Sequence, residues 1–230
     1  CVSETCKQYL FDNYKVDDPN KVTVIHRGID ESYFKRGYQP TEAWKTQFFA
    51  DFPDCRDKKL ICFPGRITRW KGHLDLVKVI ALLARERDDF RVLIVGSDSK
   101  GTFLSDVKSA IENAKLSQYF VFTGTRSDMR ELYAVSDVSL SLTSTTAESF
   151  GRAVVESLAI GTPVVAYAHG AVAETLSTCF DYGLVDVENI EGIANKVHQI
   201  FEHSNDAIGL LPTSFVLTTM QKKTLQLYSE

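Results

Sequence analysis

Short apolar runs recur along this chain, separated by longer stretches in which apolar positions return every three or four residues. The runs lie at 21–25 (KVTVI), 59–63 (KLICF), 90–96 (FRVLIVG), 119–124 (YFVFTG), 137–142 (DVSLSL) and 163–168 (PVVAYA). Most are continuously apolar rather than alternating, which suits parallel strands covered on both faces. A weaker seventh run is 183–187 (GLVDV). Between the runs, Leu74, Val77, Ile80, Ala81 and Ala84 mark a helical stripe over 72–87. Phe103, Val107, Ala110, Ile111 and Ala114 do the same over 103–116, and 128–135, 151–160, 171–177 and 189–203 complete the series. Strand and helix in turn predict βαβ units with right-handed crossovers. The fold class is therefore α/β, a doubly wound, Rossmann-like parallel sheet spanning 21–204. Residues 1–18 and 212–230 are predicted as flanking helices.

Sheets of this class bind ligands beyond the carboxyl ends of their strands, which directs attention to the segments after Phe63, Val95, Phe122 and Leu142. After Phe63 the chain reads Pro64-Gly65-Arg66, then Lys71-Gly72. Gly65 permits a close turn, and Arg66 and Lys71 put a planar fork and a compact cation at one crevice, a combination suited to a diphosphate. A Walker P-loop is absent. The loop 96–101 carries Gly96 and Gly101 without a G-x-G-x-x-G fingerprint, so these read as turn formers.

The segment 143–163 is the most informative. A strand ends near Leu142, a polar loop follows, and a helix is expected from about Gly151 to Ile160, with Ser149 as its N-cap and Gly161 and Pro163 stopping it. Its N-terminus would offer free N–H groups to an anion. Arg152 in the first turn opposes the helix dipole, a misfit that a bound anion relieves. Glu148 lies just before this helix. Glu156 lies inside it, about 7–8 Å along the axis from Gly151, among apolar neighbours. Two carboxylates on either side of an anion site suit a ligand with hydroxyls at both ends and phosphates between.

Charge and cysteine content narrow the classes. Lys+Arg number 26 against Asp+Glu 30, a net charge of -4, which provides no polycationic footprint for nucleic acid. Five cysteines, irregularly spaced and without a C-x-x-C pair, argue against a disulfide framework or zinc site and for a reducing, cytoplasmic setting. No apolar run reaches membrane-spanning length and no signal peptide is evident.

Taken together, Gly65-Arg66, Lys71-Gly72, Glu148-Ser-Phe-Gly, the seven residues between Glu148 and Glu156, and Gly161-Thr-Pro-Val-Val resemble the donor domain of retaining GT-B glycosyltransferases of the group-one family. Val24 through Asp30, Phe122-Thr-Gly124 and Tyr133 through Asp137 support the resemblance, although His26-Arg27 stands where the family commonly carries Pro-Asn, and His26 reads as a structural imidazole. The resemblance implies a nucleoside diphosphate sugar as substrate, with no resident cofactor and no metal; a D-x-D motif is absent. It implies catalytic roles for Arg66 and Lys71 on the diphosphate and for Glu148 on the transferred sugar. It further implies contacts from Gly65, Ser149, Phe150, Gly151 and Arg152, ribose binding by Glu156, and a place beside the base for Thr125 and Arg126. Residues 1–20 then resemble a linking helix and 205–230 a crossover helix. The acceptor, a saccharide or glycolipid of the bacterial envelope, would be held by a further N-terminal domain, with peripheral contact at the inner face of the cytoplasmic membrane through that domain. On this reading the chain alone binds a nucleotide with little transfer activity. A nucleotide-sugar epimerase of the same fold and a binding module without chemistry are the alternatives.

Overall fold

The computed structural model describes residues 1–98, 101, 103–203 and 208–229. Among the described residues the strands β1 (Lys59–Pro64), β2 (Phe90–Val95), β3 (Phe120–Gly124), β4 (Val138–Ser141), β5 (Val164–Tyr167) and β6 (Leu184–Val185) form one parallel sheet, in the order β3-β2-β1-β4-β5-β6. The weak run at 183–187 is thus a true edge strand, pairing Leu184 with Ala166 and Val185 with Tyr167. The crossover helices are α3 (His73–Leu83), α4 (Phe103–Asn113), α5 (Met129–Val135), α6 (Arg152–Ile160), α7 (Gly170–Cys179) and α8 (Ile190–Glu202), preceded by α1 (Glu4–Asn13) and α2 (Glu42–Asp51) and followed by α9 (Leu217–Ser229).

Continuous apolar strands are explained by burial on both faces. Ile61 and Phe63 of β1 pack into a core with Leu76, Val79 and Ile80 of α3, Val107 and Ile111 of α4, and Ile193 and Val197 of α8. The alternate residues Leu60 and Cys62 pack with Phe48 of α2, Leu132 and Tyr133 of α5 and Ile160 of α6. Val164 and Ala166 of β5 meet Val155 and Leu158 of α6 and Val172 and Leu176 of α7. Each such side chain contributes about 1.5–3 kcal/mol by leaving water. The helices after β1 and β4 therefore leave on opposite faces, although β1 and β4 are neighbours. Strand order reverses there, and a crevice opens between the strand ends.

One expectation requires correction. The run 21–25 is not a strand of the sheet. It is extended, but it exchanges hydrogen bonds with the first residue, Cys1 N to Thr23 O at 2.7 Å and Ile25 N to Cys1 O at 2.9 Å. Both sheet edges are formed by other strands, so these apolar residues are only partly covered. The helix α2 is an element that the periodicity did not reveal. Phe48 seats it, buried with Leu60, Cys62, Leu132 and Tyr133, while Trp44 stacks on Phe48 at 5.0 Å within the helix and donates to Asp128.

The flanking helices dock on the domain. The Glu174 carboxylate of α7 accepts from the N–H groups of Glu4 and Thr5 at the start of α1, each at 3.2 Å. The same carboxylate meets His26 Nε2 at 2.8 Å, so His26 has a structural partner. Ile29 N donates to Phe215 O and Leu217 N to Ile29 O, which ties the segment before α9 to the entry segment. Residues 205–207 and Glu230, part of the expected crossover element, lie outside the described residues, as do Ser99 and Lys100 of the 96–101 loop.

Gly72, between Lys71 and α3, has φ 80°, and a Cβ there would lie 2.1 Å from the carbonyl oxygen of Leu142 at the end of β4. Gly37 has a similar φ of 73° but nothing within 4 Å. Gly37→Ala should cost only the left-handed strain, about 1–2 kcal/mol. Gly72→Ala should cost roughly 2–4 kcal/mol, because strain and overlap with a backbone carbonyl add. Urea denaturation of both variants checks this; equal midpoints would show that the close approach of Gly72 to β4 carries no weight.

Candidate functional site

A cleft of about 440 Å³ lies beyond the carboxyl ends of the central strands. It is lined by Phe63 to Arg66 at the end of β1, Val95 to Ser97 at the end of β2, Thr125 and Arg126 after β3, and Leu142 and Thr143 after β4, so all four strand-end positions meet in one place. Lys71, Glu148, Gly151, Arg152 and Glu156 complete the wall. The pairs separated widely in sequence, Arg66 with Lys71 and Glu148 with Glu156, are thus brought together.

Arg66 and Lys71 occupy one side. Lys71 Nζ donates to Glu148 Oε1, and each side chain retains 18 % exposure. The Thr143 hydroxyl donates to the same carboxylate oxygen at 3.2 Å. Trp70, a residue that sequence reasoning did not single out, supports both cations: its ring centroid is 4.6 Å from Lys71 Nζ and 5.9 Å from the Arg66 guanidinium carbon. Among the described residues Arg66 has no carboxylate partner, which leaves its fork available to the cleft.

Helix α6 forms the opposite wall. Its N-cap is Gly151, in the left-handed region at φ 74°, without a side-chain cap hydrogen bond. Ser149 is therefore not the N-cap: the left-handed turn at Gly151 starts the helix two residues later, and the Ser149 carbonyl instead accepts from Cys6 Sγ at 3.5 Å. Phe150 turns inward, buried against Phe215 with ring centroids 6.0 Å apart. It anchors the loop, and neither it nor Ser149 lines the cleft by its side chain. A Cβ at Gly151 would lie 2.8 Å from Val172 Cγ2, so α7 also requires glycine there. The uncapped start of α6 presents orphan N–H groups and the positive end of the helix dipole to the cleft.

Glu156 is the most unusual group. It is 8 % exposed, with the Tyr133 hydroxyl donating to Oε2 at 3.4 Å and Arg152 Nη1 4.0 Å from Oε1. Burial pushes its carboxyl up to about 7, against the opposing pull of Arg152 and the Tyr133 hydrogen bond. Among the described residues the Tyr133 hydroxyl and Arg152 are its partners, so the cleft wall carries a desolvated carboxyl. Tyr133, its partner, is likewise buried.

The rim beyond β3 is held by a relay from α2. Arg126 makes a two-pronged contact with Asp128, at 2.9 and 2.6 Å, and Trp44 Nε1 donates to Asp128 at 2.7 Å. The Arg126 bond holds the Asp128 carboxyl below its ordinary range despite burial. The Thr125 hydroxyl donates to Ser97 Oγ at 3.0 Å. Buried beneath the cation loop, His73 lies edge-on to Phe63 at 4.9 Å, and burial pushes its imidazole down to about 4, so it is neutral and structural.

The chain was compared with known proteins. The family model for glycosyl transferases group 1 matches residues 45–208. The lipopolysaccharide core biosynthesis mannosyltransferase LpsB of Rhizobium meliloti is 32% identical over 165 residues, covering 70% of this chain and 44% of that protein. A glycosyltransferase from Rickettsia africae superposes with a TM-score of 0.85 at 31% identity, covering 99% of this chain and 62% of that one. Anabaena HepE in complex with UDP-glucose superposes with a TM-score of 0.85 at 19% identity, covering 100% of this chain and 62% of that one, which shows a shared fold. The chain spans about half the length, or less, of the curated relatives it matches.

Burial of Glu156 has a consequence for stability. The unfolded chain releases this proton near its ordinary value of 4.5, whereas the folded protein holds it to about 7. The folded state binds more protons between those values, so stability falls as pH rises through that window, by up to about 3 kcal/mol. Glu156→Gln should therefore be more stable than the parent at pH 8 by an amount of that order, with the advantage vanishing near pH 4. Thermal or urea unfolding across pH checks this; a constant difference would mean that the carboxyl is not desolvated.

Proposed function

Because the chain belongs to the glycosyl transferases group 1, we propose that its cleft binds a nucleoside diphosphate sugar and serves as the donor site of a retaining transferase. The observation that carries this reading is the meeting of Arg66, Lys71, Glu148, Glu156 and the α6 N-terminus in one cleft. Its cations suit a diphosphate, its carboxylates suit vicinal hydroxyls, and their arrangement matches a ligand with phosphates between two hydroxyl-bearing groups. Support also comes from Anabaena HepE, a protein of the same fold held with UDP-glucose.

In this reading Arg66 and Lys71 hold the diphosphate and stabilise its charge as it departs, in a cleft where fixed charges act more strongly than in water. The orphan N–H groups at the start of α6, Gly151 among them, meet phosphate or sugar oxygens. Gly65 lets the backbone approach, Glu148 accepts from hydroxyls of the transferred sugar, and Glu156 accepts from the ribose. Thr125 and Arg126 form the rim beside the base, and Arg152 screens Glu156. The carbon–oxygen bond to the diphosphate breaks as the acceptor oxygen attacks, and a phosphate oxygen takes the acceptor's proton; no protein nucleophile enters this scheme. We assign acceptor binding, and with it transfer to a bacterial envelope saccharide, to sequence beyond this chain, on the ground that relatives are longer and that LpsB is a lipopolysaccharide core enzyme. Residues 1–20 and 205–230 are assigned to the junction with that sequence. Leu225 and Tyr228 of α9, 69% and 86% exposed, are consistent with this place. Among the described residues no helix is long and apolar enough to cross a membrane.

Calorimetry with UDP, GDP and ADP and their glucose or mannose conjugates tests the donor assignment. One nucleotide is expected to bind, and no binding by any would refute the reading. Arg66→Ala and Lys71→Ala should each weaken binding of that nucleotide by about 1.5–3 kcal/mol, the range for charge-assisted hydrogen bonds. Glu156→Ala should weaken nucleotide and nucleotide sugar alike, because both carry ribose.

A transferase assay of this chain beside its full-length parent, supplied with the parent's acceptor, tests the division of labour. Little turnover is expected from the chain alone, because positioning of the acceptor contributes several kcal/mol. Equal turnover by both would refute it.

A further inference from the structure

Lys71 and Glu148 are both assigned to the donor, yet they bind each other. Lys71 cannot hold a phosphate oxygen at full strength while it is held by a carboxylate, and among the described residues Glu148, largely buried, draws its charge compensation from Lys71 and one hydroxyl, that of Thr143. We propose that this ion pair is a latch that makes the site discriminate between the sugar-bearing donor and the sugar-free nucleoside diphosphate. The proposal rests on the donor-site reading above and adds a specificity role to it.

The partners of Glu148 differ in three states. Before a ligand enters, Lys71 satisfies Glu148. When a bare nucleoside diphosphate binds, Lys71 turns toward the phosphates, and Glu148 loses its cation while facing a second anion. A partly buried carboxylate that loses its partner is costly, because it keeps the desolvation and loses the compensation. When the sugar is present, its hydroxyls donate to Glu148 and restore what Lys71 withdrew. The donor therefore releases Lys71 and replaces it at Glu148 in the same event, whereas the product does only the first. After transfer the sugar is gone, Lys71 is drawn back to Glu148, and the diphosphate is weakened in the site. Discrimination arises because the product leaves a polar group of the site unpaired.

Glu148→Gln keeps the shape and the capacity to accept hydrogen bonds but removes the charge that holds Lys71. The experiment measures, by competition calorimetry, the affinities of wild type, Glu148→Gln, Lys71→Ala and the double variant. The probes are whichever of UDP, GDP and ADP binds wild type, and its glucose or mannose conjugate. We expect Glu148→Gln to bind the bare diphosphate about ten-fold tighter, which corresponds to about 1.4 kcal/mol. The preference for the sugar conjugate should fall by at least the same factor. In the Lys71→Ala background the gain from Glu148→Gln should drop below about two-fold, because no latch remains to open. Should Glu148→Gln fail to fold, Glu148→Ala makes the same comparison.

Unchanged or weaker diphosphate binding by the Glu148 variant would overturn the latch. So would a gain that persists without Lys71, which would mark simple repulsion between Glu148 and the phosphates. These outcomes differ from failure of the donor reading itself, which is absence of nucleotide binding by wild type and would remove the latch with it.

Discussion

The pairing of β1 with β2 on one side and with β4 on the other is the constraint on which the rest of the structure depends. The helices that follow β1 and β4 leave on opposite faces, so nothing in the sheet covers the gap between their strand ends. The loop after β1 delivers Arg66 and Lys71 to that gap, and the loop after β4 delivers Glu148 and the start of α6. Gly72 locks the two sides together, because only a residue without Cβ lets the start of α3 lie against the Leu142 carbonyl. The site is thus a product of strand order, and the side chains need only stand at the right ends.

Within that gap the governing problem is electrostatic. Two carboxylates and four cations, Arg66, Lys71, Arg126 and Arg152, share a cleft that burial partly shields from water, and they are held by different devices. Glu148 is ionically paired, Arg66 is supported by an aromatic ring, and Glu156, without a close ion pair among the described residues, shifts toward its neutral form. A folded protein gains no stability from a carboxyl raised in this way. Packing does not account for it, since an apolar side chain would fill the same volume without desolvating a charge.

The elements around the cleft act as braces. The indole of Trp44 holds Asp128, and Asp128 holds Arg126 at the rim, so α2 reaches the site through two side chains. At the other end Glu174 joins α7 to α1 and to His26, fastening the entry segment to the domain. These braces explain residues that have no direct place in donor chemistry.

Continuous apolar runs, helical stripes and strand-end glycines in this chain determined the parallel α/β class, and the ordered set of Gly65-Arg66, Lys71-Gly72 and the Glu148 to Glu156 segment determined the family. Those features are local, and local spacing dictates them. The exclusion of 21–25 from the sheet, the aromatic seating of α2 and the shift of the α6 cap from Ser149 to Gly151 were decided only in three dimensions. Strand pairing depends on which edges are free, a helix with scattered aromatics is defined by what it stacks against, and a cap is set by the backbone conformation that packing allows. The Lys71–Glu148 pair and the raised carboxyl of Glu156 belong to the same class, since a charge's partners and its exposure to water exist only once distant segments of the chain have come together.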